Sequence, residues 1–214
     1  MARIPERTIG RLSLYRRLLA DAIARDVRYV YSHELARMAG VSAPQVRRDL
    51  MAVGYMGTPT RGYGVADLVG SISALLDAPR MQGVALVGVG NLGRAVLAYF
   101  VGRHPNISFV AAFDSDPSKA DRVIHGCRCY AMSDLARVVE QEDIQAAVVA
   151  VPVEQAQEVT DQLVAAGITS ILNFAPTSLR VCPGVYVEHN DLTASMERVA
   201  FLARARAKSK EFAQ

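Results

Sequence analysis

After Pro5, apolar residues recur every three or four positions at Ile9, Leu12, Tyr15, Leu18, Leu19 and Ile23, which predicts an amphipathic helix ending near Asp26. Ser32 is placed to cap a second, short helix with Leu35, Ala36 and Met38 facing inward. Gly40-Val41-Ser42 then makes a turn, and Ser42 caps a third helix over residues 43–53, with Pro44 in its first turn and Val46 and Leu50 inward. Helix, short glycine-containing turn, helix is the spacing of a helix-turn-helix. The glycine-rich stretch 55–65 follows as a hairpin with Arg61 at its tip, in the position of a wing. A further helix over 67–78 leads into a linker, Asp77-Ala78-Pro79-Arg80.

From residue 84 the pattern alternates. Strands are predicted at 84–89, 107–113, 146–151 and 170–173, separated by helices at 92–101, 134–141 and 154–166, with a late strand at 185–188. Strand and helix in alternation imply βαβ units and a parallel sheet. The last segment, 190–208, reads as an amphipathic helix with Leu192, Met196, Val199, Ala200 and Ala203 on one face. No strand follows it, so it either covers the sheet or packs on a second subunit. The fold class is therefore α/β, in three parts: a winged helix-turn-helix over 1–79, a Rossmann-type parallel-sheet domain over 80–189, and a terminal helix over 190–214 that is the candidate for dimerisation.

The turn after the first strand of the sheet carries Gly88-x-Gly90-x-x-Gly93, and Asp114 closes the next apolar run. Gly88 permits the tight turn, Gly90 lets backbone approach a pyrophosphate, and Gly93 allows helix and strand to pack closely. Backbone N–H groups of Asn91, Leu92 and their neighbours would hold the phosphates at the helix N-terminus. A carboxylate at 114 suits a ribose 2′-hydroxyl and repels a 2′-phosphate, favouring NADH and NAD⁺ over their phosphorylated relatives, with Lys119 close enough in sequence to modulate that preference.

Charge separates the two halves. Residues 1–78 hold eleven Arg and Lys against seven Asp and Glu, a net of +4, while the chain as a whole carries +3. Ser42, Ala43, Gln45, Arg47 and Arg48 sit on or beside the outward face of the third helix, where side chains reach phosphates and base edges in a major groove, and Arg61 would touch the backbone or minor groove from the wing.

Other chemistries find little support. Nowhere do eighteen apolar residues run together and the first residues are charged throughout, so a soluble cytoplasmic protein, off the membrane, is expected. Cys127, Cys129 and Cys182 are odd in number and lack partners at zinc spacing, so no metal site is expected and the first two read as buried or strand-edge thiols. His189 and Tyr99 could be argued into proton-donating roles, but no separate substrate domain is left once the sheet is counted, so no catalytic residue is assigned. A nicotinamide-dependent oxidoreductase stays as the competing reading.

These residues also resemble a family. The order of winged helix and nucleotide fold, together with Pro5…Arg11-Leu12…Tyr15, Val46-Arg47-Arg48-Asp49-Leu50, Gly88-x-Gly90-x-Leu92-Gly93, Phe113-Asp114-x-Asp116-Pro117, Val151-Pro152, Ile171-Leu172-Asn173-Phe174-Ala175-Pro176 and Val187-Glu188-His189-Asn190-Asp191, resembles the Rex redox-sensing transcriptional repressors over nearly the whole chain. The resemblance implies a homodimer that binds palindromic double-stranded operator DNA when free or NAD⁺-bound and leaves it on binding NADH. It implies a terminal helix swapped into the partner subunit. Gly88, Gly90, Leu92 and Gly93 would line the pyrophosphate, Asp114 the adenosine ribose, and Val151-Pro152 with Asn173-Phe174 the nicotinamide side. The implied switch is an exchange of partners, in which Asp191 of one subunit meets Tyr99 of the other with NADH bound and Arg17 with DNA bound. Three features depart from the family pattern: Leu192 stands where phenylalanine is common, Thr58-Pro59 lengthens the wing, and Pro44 replaces an aromatic at the entrance to the third helix. A paralogue answering to a different effector is the remaining alternative.

Overall fold

Pro5, extended at φ −61° and ψ 140°, caps α1 (Glu6–Ala24), whose buried stripe is Thr8, Leu12, Tyr15, Leu19 and Ala22. The stripe is rotated from the predicted one. Ile9 and Ile23 fall on its flank and stay 43% and 46% exposed. The computed structural model describes residues 4–58, 61–104 and 106–211, with side chains described to residue 206. The chain divides into two compact units between Pro79 and Arg80.

In the first unit, β1 (Tyr29–Val30) leads to α2 (Ser32–Ala39), α3 (Ala43–Ala52), β2 (Tyr63–Gly64) and α4 (Val65–Leu76). The cap of α2 is Tyr31, one residue earlier than predicted, and its N–H is held at 2.7 Å by the Glu34 carboxylate in the manner of a capping box. Ser32, freed from that duty, accepts from Arg47 at 3.2 Å. Met38 turns outward, 46% exposed, while Leu35 and Ala36 are buried and Ala39 packs against the same core. Ser42 caps α3 as expected, its Oγ accepting from the Gln45 N–H at 3.3 Å. The wing takes its register from an unpredicted partner: β1 pairs antiparallel with β2, Tyr29 opposite Gly64. Thr58 and Gly62 exchange backbone hydrogen bonds of 2.9 and 2.8 Å below the tip. Pro59, part of the expected insertion, lies outside the described residues. α1 and α4 close the core on Leu50, Leu68 and Ile72, all fully buried.

The second unit runs β3 (Gln82–Val87), α5 (Asn91–Phe100), β4 (Ile107–Asp114), β5 (Val123–Ile124), β6 (Cys127–Ala131), α6 (Leu135–Gln141), β7 (Ala146–Val149), α7 (Val153–Ala165), β8 (Ser170–Asn173), β9 (Tyr186–His189) and α8 (Leu192–Glu211). Among the described residues the sheet has seven strands in the order β5-β6-β4-β3-β7-β8-β9. Every pairing is parallel except β5 on β6. The chain moves outward from β3 to one edge, then returns and moves outward to the other. That reversal is a topological switch point, with a crevice at the carboxyl ends of β3 and β7. Strand side chains alternate between two cores, Val87, Phe113 and Ile171 facing α6 and α7, and Leu86, Ala112 and Cys129 facing α5.

β5 and β6 were not predicted. Cys127 and Cys129 nevertheless fit the expectation of buried thiols, and burial, with Cys129 beside it, pushes the Cys127 thiol up to about 11. Among the described residues of this unit, two apolar surfaces stand open. Val84, Phe109, Val148 and Leu172 line a shallow hollow of about 250 Å³ on the sheet face beyond α5. No α8 residue from 192 to 206 is buried, and Leu192, Met196, Val199, Phe201 and Leu202 are 46–65% exposed. Phe201 and Leu202 lie off the predicted face, which makes α8 apolar on more than one side.

Candidate nucleotide cleft and recognition helix

The carboxyl end of β3 turns sharply at Gly88, whose φ of 96° is open to glycine. A Cβ there would stand 2.5 Å from the Ala150 carbonyl oxygen, and one on Gly93 would stand 2.0 Å from the Gly88 carbonyl oxygen. Only bare backbone fits at both positions. Gly90 differs, for no atom lies within 4 Å of the place its Cβ would take. Two glycines thus close the turn and the third leaves an open approach at the first turn of α5, where Asn91 and Leu92 also sit. Its N–H groups and the positive helix end favour an anion.

Gly88, Gly90, Asp114, Lys119, Val151 and Pro152, six of the predicted nucleotide residues, line one cleft of about 330 Å³ at the switch point, joined by Ser115, Asp116, Met132 and Gln155. Asp114, 8% exposed, accepts the Val89 N–H at 2.8 Å and Lys119 Nζ at 3.0 Å through one oxygen, and the Asp116 N–H at 2.9 Å through the other. Burial works to raise its pKa, but the Asp116 N–H, Lys119 and the Val89 N–H outweigh it and hold the carboxyl below its ordinary range. The carboxylate therefore fastens the glycine turn to the end of β4 while presenting negative charge to the cleft. Sequence reasoning missed Met132, because it follows the unpredicted β6, and Gln155, in the first turn of α7 beside the sheet end.

Asn173 and Phe174 do not line this cleft. Asn173 is fully buried and spends its amide on the following loop: Oδ1 accepts the Ala175 N–H at 2.9 Å, and Nδ2 lies within hydrogen-bond distance of the Ala175 and Thr177 carbonyls and of His189 Nδ1. Its side chain thus shapes the segment beyond β8. Phe174 is half-buried against the core under α5. Tyr99 is 57% exposed, with the Arg103 guanidinium 4.6 Å above its ring. Asp191 caps α8 by accepting the Ala194 N–H at 2.9 Å.

On the first unit, Ser42, Arg47, Arg48 and Arg61 are exposed and Ala43 is half-exposed, while Arg17 is exposed on α1. Gln45 differs from the rest: it is half-buried and donates through Nε2 to Asp49 at 2.9 Å. Asp49 is 2% exposed and also accepts from Arg11 at 2.6 and 2.7 Å, Tyr15 at 2.9 Å and Thr8 at 3.4 Å. Burial alone would raise its pKa, but the hydrogen bonds of Arg11, Gln45 and Tyr15 hold it down. Nothing in the hydrophobic pattern marks this carboxylate. Its signal is its i+4 spacing from Gln45 on a face otherwise occupied by Val46 and Leu50.

Among the described residues, no group of three or more His, Cys, Asp or Glu is arranged to hold a metal ion, and no helix is long and apolar enough to cross a membrane. Comparison with known proteins then separates the repressor reading from the oxidoreductase. Residues 3–50 match a family model described as the N-terminus of a putative DNA-binding protein, and residues 80–177 match one described as a CoA binding domain. The redox-sensing transcriptional repressor Rex of Roseiflexus sp. is 39% identical over 94% of this chain and 91% of its own. That of Syntrophobacter fumaroxidans is 37% identical over 94% and 96%. Among solved structures, RSP, a Rex-family repressor, covers 100% of both chains at 27% identity with a TM-score of 0.86. RSP has also been solved with β-NAD⁺ and operator DNA (TM-score 0.87, 99% and 98% covered) and with β-NADH (0.85, 99% and 100%). These relatives are named as repressors, not enzymes, and the chain belongs to the Rex family of redox-sensing transcriptional repressors.

Proposed function

We propose that this chain works in the cytoplasm as a homodimer that holds a palindromic operator when free or NAD⁺-bound and releases it when NADH enters the cleft beside Gly88, Gly90 and Asp114. The convergence of those residues at the switch point of the sheet carries the reading. Bound there, the cofactor supplies a ring that is cationic when oxidised and neutral when reduced. A nicotinamide site lined by Val151 and Pro152 disfavours the cation. A thousandfold preference for NADH needs about 4 kcal/mol of differential binding.

In this reading Ser42, Ala43, Arg47 and Arg48 face the major groove and Arg61 reaches from the wing. The second subunit would cover the two apolar surfaces left open, with α8 lying between bodies as a helix apolar on several sides requires. Arg17, Tyr99 and Asp191 form the switch. Asp191 of the partner subunit serves either the Tyr99 phenol or the Arg17 guanidinium, and one carboxylate cannot satisfy both, so the choice sets the relation between subunits.

The test is fluorescence anisotropy of the protein on a duplex selected from randomised palindromes, titrated with NADH and NAD⁺ separately at one salt concentration. Release at far lower NADH than NAD⁺ is expected. Indifference to both would replace the effector, and failure to bind any duplex would end the DNA reading.

A further inference from the structure

We infer that Gln45 does not read DNA itself but is a positioning residue that fixes Arg48, relaying to it the buried anchor between α1 and α3; the inference rests on the operator-binding reading above. The amide has a forced orientation. Ionised Asp49 only accepts hydrogen bonds, so the Gln45 end facing it at 2.9 Å must be Nε2. That leaves Oε1 facing outward, where it accepts from Arg48 Nη2 at 2.9 Å. A path of hydrogen bonds therefore runs from Arg11 and Tyr15 on α1, through Asp49 and Gln45, to an exposed guanidinium on the recognition face.

A glutamine that reads adenine needs both its amide oxygen and its nitrogen for a bidentate contact. Here both already have partners, and engaging a base would break the bond to Arg48 and the bond to Asp49 together. Arg48, by contrast, is exposed and is held at one end only by Gln45. Arginine gives up much rotamer freedom when it docks, and a neighbour that orders it beforehand reduces that loss. Arg47 is braced differently, on Ser32 of α2 at 3.2 Å, so the relay is specific to Arg48.

The experiment is a double-substitution cycle on the full-length chain, measuring affinity for the selected duplex at one salt concentration. Gln45→Met preserves the length of the side chain and removes its polar atoms, and Gln45→Ala is carried in parallel. Asp49 keeps Arg11 and Tyr15 in both, and thermal melts followed by circular dichroism check that each variant is folded. In an otherwise unchanged chain, either Gln45 variant should weaken operator binding about tenfold, and in an Arg48→Ala background by less than about twofold. Equal losses in the two backgrounds would show that Gln45 contacts DNA on its own account. No loss in either would show that Arg48 needs no positioning. Failure of the unsubstituted chain to bind any duplex would end the underlying reading instead, and it would be seen before any variant is made.

Discussion

Each unit has a buried aspartate with a depressed pKa, and the two are satisfied in opposite ways. Asp49 draws its donors from side chains far away in sequence, Arg11, Tyr15 and Thr8 of α1, with Gln45 beside it. Asp114 draws two of its three donors from backbone, at Val89 and Asp116, and the third from Lys119. The first joins two helices, and everything that holds it can be lost by substitution. The second fastens a turn, and its backbone donors persist whatever the side chains become. A carboxylate held by side chains belongs to the stability of the unit, whereas one held mainly by backbone is free to face a ligand.

The largest effect should follow Asp49→Asn. The substitution leaves the Arg11 guanidinium, 23% exposed, without its counter-charge, and breaking a largely buried pair in this way costs about 3 kcal/mol. Urea denaturation of the winged-helix unit should report this loss, while NADH affinity stays within about twofold; an unchanged midpoint would mean that desolvation cancels the attraction. Acid sharpens the contrast. The folded-state pKa of Asp49 lies below its unfolded value of about 4, so the unfolded chain takes up the proton first. The contribution is complete above that value and is lost as pH falls through the folded pKa. The stability of wild type should therefore approach that of Asp49→Asn as pH falls below the ordinary aspartate range.

What the sequence makes legible follows the same division. The glycine turn and Asp114 were readable because backbone chemistry needs particular residues at particular spacings: a left-handed φ at 88 and no Cβ at 93. The parallel strands β3, β4, β7 and β8 were readable because their side chains are apolar on both faces and show as continuous runs, although one face stays partly open at Val84, Phe109 and Leu172. β6 was not, for the exposed Arg128 interrupts Cys127-Arg128-Cys129 and breaks the apolar run. β1, two residues long, is defined only by its pairing with β2. Gln45 was placed outward because helical spacing gives direction but not partners, and its partner depends on where α1 packs. The inward face of α1 was misjudged for a related reason: the polar Thr8 is buried beside Asp49, a contact that hydrophobicity does not register.

A smaller effect is expected at the nucleotide cleft, in two opposite directions. Asp114→Ala removes the charge that repels a 2′-phosphate and leaves Lys119 facing the cleft, so discrimination between NADH and NADPH should fall by about tenfold, or 1.4 kcal/mol. Lys119→Ala removes a cation that would welcome that phosphate, and discrimination should rise. Calorimetric titration of both cofactors into each variant checks the pair. If both substitutions move selectivity the same way, the two side chains do not act as opposed charges at the ribose.

The smallest change in free energy should accompany Tyr99→Phe, which tests the switch and not the sites. Tyr99 is exposed, and its ring keeps the Arg103 guanidinium at 4.6 Å and an edge contact with Phe100 at 5.3 Å whether or not it carries a hydroxyl. Phenylalanine preserves both contacts, so stability should change by less than about 0.5 kcal/mol. Operator affinity without cofactor should be unaltered, since in that state Asp191 of the partner subunit is assigned to Arg17. With NADH the phenol is the competing partner, and its loss should shift the release curve to higher NADH while direct NADH affinity falls only by the coupling the switch supplied. A coupling removed from release but absent from binding would violate linkage. The decisive measurement is therefore the pair of curves, anisotropy for DNA release and calorimetry for NADH, on the same variant. A normal release curve would take Tyr99 out of the exchange and leave Arg17 and Asp191 to act without it.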